Sequence, residues 1–328
     1  MIKGSKRGRP SLADVLSALD AEVDLLHDSL GGLPRAVEAD QILHEIWIDD
    51  VHNSTAIEGN TMTRAQVEDA VERRKTSGTV IEVLEVEGYA GAADWVYREA
   101  PLYTGVSTDV IAEIHRRAVG LVWQVDPPAT SDRPGAWRTV GVHVRGVRTT
   151  LPVALPADLD QWSASSSTRP ADDHPIAHAA RHHAWFERIH PFVDGNGRVG
   201  RLLLNFMLVQ QGYPPAVILA THRARYLQAL HAADRGNMRP LTEVIARSAG
   251  GALSKFLIPK LAGEAKLVPL TALAAQTGYS AAYLRQLAQT SRLRAVRDRG
   301  LWLSSRSWVD EYVAKRDPRG GRRQGQAP

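Results

Sequence analysis

A glycine-spaced loop that runs straight into an uninterrupted apolar helix constrains this chain more than any other feature. The loop is His190-Pro-Phe-Val-Asp-Gly-Asn-Gly-Arg-Val-Gly-Arg201. Leu202-Leu-Leu-Asn-Phe-Met-Leu-Val-Gln-Gln211 follows without Pro or Gly, a run that reads as helix. Gly195, Asn196 and Gly197 stand where loop becomes helix. Their backbone N–H groups can face an anion there, with the helix dipole behind them. Arg198 and Arg201, three apart, share one face of the first turn, and two guanidiniums so placed can clamp phosphate oxygens. Asp194 supplies a hard oxygen of the kind that Mg²⁺ on a nucleotide prefers. His190 is the nearby group able to take up a proton near neutral pH. Together these residues read as a polyphosphate site with a metal ligand and a general base. The leucines of 202–208 read as core.

The chain of 328 residues has room for about two domains, and its 44% apolar content allows a sizeable core. With no Cys, a disulfide framework, a thiolate zinc site and a cysteine nucleophile are all excluded. The basic first ten residues lack the apolar segment of a secretory signal, and no stretch reaches membrane-spanning length. A cytoplasmic protein without membrane contact is the expectation. The net charge of +4 is unevenly spread: residues 285–323 hold eleven Arg or Lys against four Asp or Glu. That asymmetry points to an acidic partner for the C-terminal region.

Apolar spacing predicts a mainly α protein. Helices are expected at about 12–30, 37–53, 64–75, 81–99, 107–121, 156–164, 175–189, 202–211, 222–235 and 240–257. The exception is Arg138–Val147, which alternates β-branched residues after Pro134-Gly135 and reads as a β-hairpin. Residues 259–264 make a plausible hinge. Beyond them, 270–276, Gly278 as the turn residue, Ser280 as a cap and 281–290 look like helix–turn–helix, with a short hairpin around Arg299-Gly300. Residues 317–328, rich in Arg, Gly and Gln, are expected to be disordered.

The string from His190 to Arg201 resembles the signature of the Fic family, H-P-F-x-D/E-G-N-G-R-x-x-R, at every defined position. Upstream, Ser54-Thr-Ala-Ile-Glu58-Gly59 resembles that family's inhibitory motif, placed ahead of the core. The resemblance implies a Fic-type helical core over about 40–258, after a leader and helix at 1–39, with a β-hairpin flap. It implies transfer of AMP from ATP to a Ser, Thr or Tyr of a protein, itself among the possible targets, or removal of that AMP. His190 would deprotonate the acceptor hydroxyl, Asp194 would hold Mg²⁺, and Gly195, Asn196 and Gly197 would form the anion hole. Arg198 would hold β-phosphate oxygens, and Arg201 would serve the γ-phosphate or pair with Glu58. Val144 and Arg145 belong to the segment resembling the flap, which pins the target by main-chain pairing. Tyr226 and Asp234 fall where the family places an aromatic and an Asn near the adenine; the Asp leaves base preference open.

A glutamate facing Arg201 would neutralise that cation and repel a phosphate. Unit charges about 4 Å apart at an effective dielectric near 20 interact by roughly 4 kcal/mol, enough to hold the α-phosphate out of line with the attacking hydroxyl.

Residues 266–316 resemble the winged helices of the MerR/excisionase type. That resemblance implies phosphate contacts to DNA from Arg285, Arg292, Arg294, Arg297 and Arg299, with a protein-binding or dimerising role as the other possibility. Homo-oligomers are compatible with this reading. His178, His182, His183 and Glu187 share one helix and could mimic a metal cluster, although packing is the better reading of the histidines. Two alternatives stay open for the whole: a DNA-binding regulator that uses the Fic fold as a nucleotide sensor, and transfer of another phosphate-linked group.

Overall fold

The computed structural model describes residues 10–30, 37–129, 132–144, 146–261, 267–290, 292–298 and 301–316. The chain forms two compact units, one of residues 30–252 and one of residues 1–29 with 253–328. No helix among the described residues is long and apolar enough to cross a membrane.

The larger unit is built of α2 (Val37–Glu58), α3 (Arg64–Val71), α4 (Val80–Glu99), α5 (Thr108–Val125), α6 (Leu155–Ser166), α7 (Pro175–Ile189), α8 (Asn196–Gln210), α9 (Arg223–Asp234) and the first part of α10 (Arg239–Leu261). Helix α8 is its centre: Leu202, Leu203, Leu204, Phe206, Met207 and Leu208 are all buried. It packs against α2, α4, α5 and α7, as a helix apolar on every side must be enclosed. Its start at Asn196 puts Gly197, Arg198, Gly200 and Arg201 in the helix's first turns, with Gly195 as the N-cap.

Asp50, Ser54 and Glu58 recur every fourth residue on α2, so they share one face. Asp50 is buried and accepts hydrogen bonds from Tyr97 Oη (2.7 Å) and Tyr89 Oη (3.2 Å). Burial lifts its carboxyl to about 6, against the pull of Tyr97 and Arg201. Gly59 closes the helix at φ +113°, a left-handed end that suits glycine. Thr63 and Thr79 start α3 and α4, each exchanging bonds with the residue three on, Gln66 and Glu82.

The segment expected to be a β-hairpin, 138–147, is no two-stranded ladder among the described residues. It carries a single bridge, Val144 to Val147. The reason lies in who uses its carbonyls. The buried Arg138 guanidinium donates to Val140 O (2.8 Å) and Thr150 O, and Thr149 Oγ1 donates to Val142 O (3.0 Å). Side chains hold the segment where strand pairing would otherwise do so.

The second unit holds α1 (Leu12–Leu30), β1 (Val268–Pro269), α11 (Leu270–Thr277), α12 (Ala281–Gln289), β2 (Val296–Asp298), β3 (Leu301–Ser304) and α13 (Arg306–Arg316). Its strands form an antiparallel sheet in the order β1-β3-β2, with Val296 opposite Leu303 and Asp298 opposite Leu301. Leu270, Leu273, Leu284, Leu287, Leu293 and Trp308 make its core. Gly278, at φ +72°, ends α11, and Ser280 Oγ caps α12 by accepting Tyr283 N–H (3.1 Å). Arg285 and Arg292 are exposed, while Arg294 lies 3.5 Å from Glu311. Arg297 is on β2, its side chain outside what is described, and Arg299 lies outside the described residues.

Candidate active site

A cavity of about 380 Å³ opens in the larger unit where the end of α7, the signature loop, the start of α8, the end of α2 and helix α9 meet. His190, Asp194, Gly195, Asn196, Gly197, Arg198, Arg201 and Glu58 all line it, with Val144, Tyr226 and Asp234 at its other walls. Residues spread over more than 170 positions of sequence thus converge on one space. Ser54 sits behind Arg201. Arg145 lies outside the described residues.

His190 ends α7 in the left-handed region, φ 53° and ψ 60°, a conformation that costs a non-glycine residue about 1 kcal/mol. Its surroundings enforce it: Arg138 Nε donates to His190 O (2.7 Å) and His190 N–H donates to Phe186 O (3.0 Å). The ring is fixed as well. Nδ1 lies 3.1 Å from Glu187 O, a carbonyl that can only accept, so Nδ1 carries the proton and Nε2 is left as a base. Burial pushes the imidazole below its ordinary value, more than the Glu187 carbonyl raises it. The ring is therefore neutral at pH 7.

The start of α8 faces the cavity with a glycine N-cap. Gly195, its N-cap, has φ +79°, and a Cβ there would lie 2.7 Å from Val119 Cγ1. Asn196 spends its side chain on the loop: it accepts Phe192 N–H (2.9 Å) and donates to Phe192 O (2.8 Å). The buried Arg198 donates to Asp194 Oδ2 (2.9 Å) and Glu85 Oε1 (3.3 Å), yet its Nε, closed off from solvent, has no partner. A buried donor without an acceptor is costly. The Asp194 side chain is 60% exposed. No group of three or more metal ligands occurs among the described residues. A divalent ion here would rest on one carboxylate, with phosphate and water completing its shell, which is how Mg²⁺ on a nucleotide is held. The residues fit that ion.

Glu58 occupies the same corner. Its Oε1 accepts from Arg201 Nη2 at 2.8 Å, while Arg201 Nε donates to Ser54 Oγ (2.6 Å) and Nη2 to Ser54 O (3.0 Å). Burial disfavours the ionised Glu58, but Arg201 and then Arg198 and Arg223 outweigh it and hold the carboxyl below its usual range. A Cβ on Gly197 would lie 2.4 Å from Glu58 Oε1. The glycine therefore lets a carboxylate settle on the first turn of α8, where the helix dipole favours negative charge.

At the far wall Tyr226 is buried, its hydroxyl 2.7 Å from His183 Nε2. Asp234 ends α9, lifted above its usual value by burial despite His231, 4.0 Å away. The α7 histidines have their ring nitrogens engaged: His178 with Asp173 and Ser166 O, His182 with His178 O and Ser165, His183 with Gly200 O and Tyr226. They pack.

Four contributors escaped sequence reasoning. Glu85 and Arg223 line the cavity, and Arg223 Nε caps α2 through Ile57 O (2.8 Å). His115 lies behind the loop, taking Gly135 N–H on Nδ1 (2.7 Å) and facing Asp194 O with Nε2 (3.1 Å). Arg138 holds His190. Each acts across more than 50 positions or through a main-chain atom, where spacing carries no signal. Glu187, noted for its helix face alone, also lines the cavity.

Residues 105–208 match the model of the Fic/DOC family. A protein of Drosophila sechellia named protein adenylyltransferase Fic is 34% identical over 252 residues, covering 74% of this chain and 48% of that protein. Its namesake in Drosophila virilis is 31% identical over 256 residues, with coverage of 76% and 52%. The chain thus spans about half the length of the curated relatives it matches. Among solved structures, a fragment of Fic-1 from C. elegans superposes with a TM-score of 0.67 at 25% identity, over 77% of this chain and 74% of the fragment. A Fic-domain signaling protein of Bacteroides thetaiotaomicron shares the fold, with a TM-score of 0.61 at 22% identity, over 73% of this chain and 97% of its own. Sequence and fold agree, and the chain carries a Fic/DOC-type domain matched over residues 105–208.

Proposed function

We propose that this chain is a self-inhibited protein adenylyltransferase. One observation carries the reading: an imidazole with a bare Nε2, the glycine-capped start of α8 and a carboxylate seated on that start share one cavity. The match to proteins named protein adenylyltransferase Fic supports it.

In the proposed reaction an acceptor hydroxyl of a target protein attacks the α-phosphorus of ATP while His190 Nε2 takes its proton. The bond from that phosphorus to the α,β-bridging oxygen breaks, leaving AMP on the Ser, Thr or Tyr oxygen and releasing pyrophosphate. Backbone N–H groups of the first α8 turn, with Arg198 and Arg201, hold the departing phosphates, so that charge is stabilised where it develops. Mg²⁺, held by Asp194 together with the phosphates, would neutralise part of their charge. Tyr226 and Asp234 lie at the base end. Glu58 opposes all this while it holds Arg201.

The test is the intact mass of the protein and its candidate targets after incubation with ATP and Mg²⁺. A gain of one AMP is the expected outcome, and a gain of phosphate or another phosphate-linked group overturns the reading. The same assay on AMP-loaded protein reports removal. If nucleotide binds and no group is transferred, the sensor alternative takes its place.

The second unit supports a further reading as a winged helix–turn–helix that binds DNA. Helices α11 and α12 meet at Gly278 and are followed by a β2–β3 wing, with Arg285 and Arg292 exposed. Phosphate contacts predict affinity that falls steeply with salt. Titrating the full chain onto duplex DNA at about 50 and 200 mM salt should show a loss of at least tenfold. No binding at the lower salt assigns the unit to a protein partner or to self-association.

A further inference from the structure

We propose that Glu187 is the residue that recognises the ribose hydroxyls of the nucleotide, a contact that rests on the transferase reading for its ligand and on the cavity for its place. Glu187 lines the same cavity as Arg198 and Asp234. Its Oε1 is shut off from solvent and has no hydrogen-bond partner. The carboxyl lies flat against α8, where a Cβ on Gly200 would fall 2.2 Å from Oε1. The chain leaves room for this oxygen and gives it nothing to bind. An unsatisfied buried polar atom is costly, and at a cavity wall a ligand is what relieves it. The terminal carboxyl torsion is broad, so rotation can turn either oxygen towards the cavity.

The cavity's two unpartnered buried atoms differ in kind, and this selects the ligand. Arg198 Nε, at the start of α8, can only donate and suits phosphate, which can only accept. Glu187 lines the cavity together with the Glu58–Arg201 pair and with Tyr226 and Asp234, and the charges of Arg201, Glu58 and Asp234 all act on its carboxyl. In a nucleotide the part between phosphates and base is the ribose. Burial lifts Glu187 to about 8, over the opposing pull of Arg201, so at neutral pH it is protonated. A protonated carboxyl donates and accepts at once, as a ribose hydroxyl does.

The experiment uses the full chain carrying Glu58→Gly, with Mg²⁺. Calorimetry compares ATP, 2′-deoxy-ATP and 3′-deoxy-ATP on this parent and on Glu187→Leu and Glu187→Gln. The parent should bind at least one deoxy analogue about tenfold more weakly than ATP, the effect of one hydrogen bond. Glu187→Leu should bind ATP about tenfold more weakly and no longer distinguish the analogues. Glu187→Gln, which keeps a donor and an acceptor, should retain most of the discrimination. The proposal is overturned by a parent that binds all three alike, whatever the fate of the Leu variant. It is equally overturned by a folded Leu variant that discriminates as the parent does. A parent that binds ATP with this preference yet transfers no AMP removes the transferase reading and leaves the ribose contact standing.

Discussion

Glu58→Gly should raise the rate of AMP transfer from ATP by about tenfold to a hundredfold. A fully enclosed Glu58–Arg201 pair would set the ceiling near 4 kcal/mol. Glu58 is 39% exposed at its side chain, and solvent screening takes a good part of that away; the remaining ~1.4–2.8 kcal/mol corresponds to the stated range. Two effects add: the variant frees Arg201 for phosphate and vacates the first turn of α8, where Gly197 admits the carboxylate. The substitution also takes the carboxylate from a buried guanidinium whose other hydrogen-bond partners, Ser54 and Tyr226, are hydroxyl or carbonyl groups. A buried charge stripped of its counter-ion is destabilising. The variant should therefore melt lower than the parent without nucleotide, and ATP with Mg²⁺ should raise its melting temperature more than it raises the parent's. Radiolabel transfer and a thermal-shift assay read both outcomes. Equal labelling by the two chains would remove the inhibitory role from Glu58.

Much of this site was legible from residue order. The loop-to-helix transition at Gly195 is written in glycines followed by an apolar run, because helix starts and buried helices obey local rules. The helix expected to end at Asn53 runs on to Glu58, and this puts Ser54 and Glu58 on one face turned to Arg201. The segment 138–147 went differently. Its alternating residues fit a strand, but Arg138 takes the carbonyls that a ladder would need, and nothing in the local pattern says where an arginine will reach. Glu187 was hidden for the same reason. It sits one helical turn before His190, and its significance comes from the absence of a side chain on Gly200, thirteen positions on. The histidines of α7 have metal-like spacing, yet most of the partners that engage them, such as Ser166 O and Gly200 O, are tertiary neighbours or backbone groups. Local chemistry is readable from sequence where the partners are near in sequence or belong to a repeat; it fades where a lone side chain crosses the core.

In the Glu58→Gly background, His190→Ala should cut AMP transfer by roughly a hundredfold to ten-thousandfold, the range of a positioned general base. ATP binding should change little, because the anion site is made by the start of α8, Arg198 and Arg201 rather than by the imidazole. That split separates an enzyme from a nucleotide sensor, in which removing His190 would leave the output intact. The pH profile carries a second signature. His190 acts as a base when neutral, and burial holds it below the ordinary imidazole value near 6.5. The acid limb of transfer should thus have its midpoint below the ordinary imidazole value, as the imidazole becomes protonated. The Ala variant should lose that acid limb. A limb that persists without His190 would assign the proton transfer to another group, and the candidate to examine next would be Asp194.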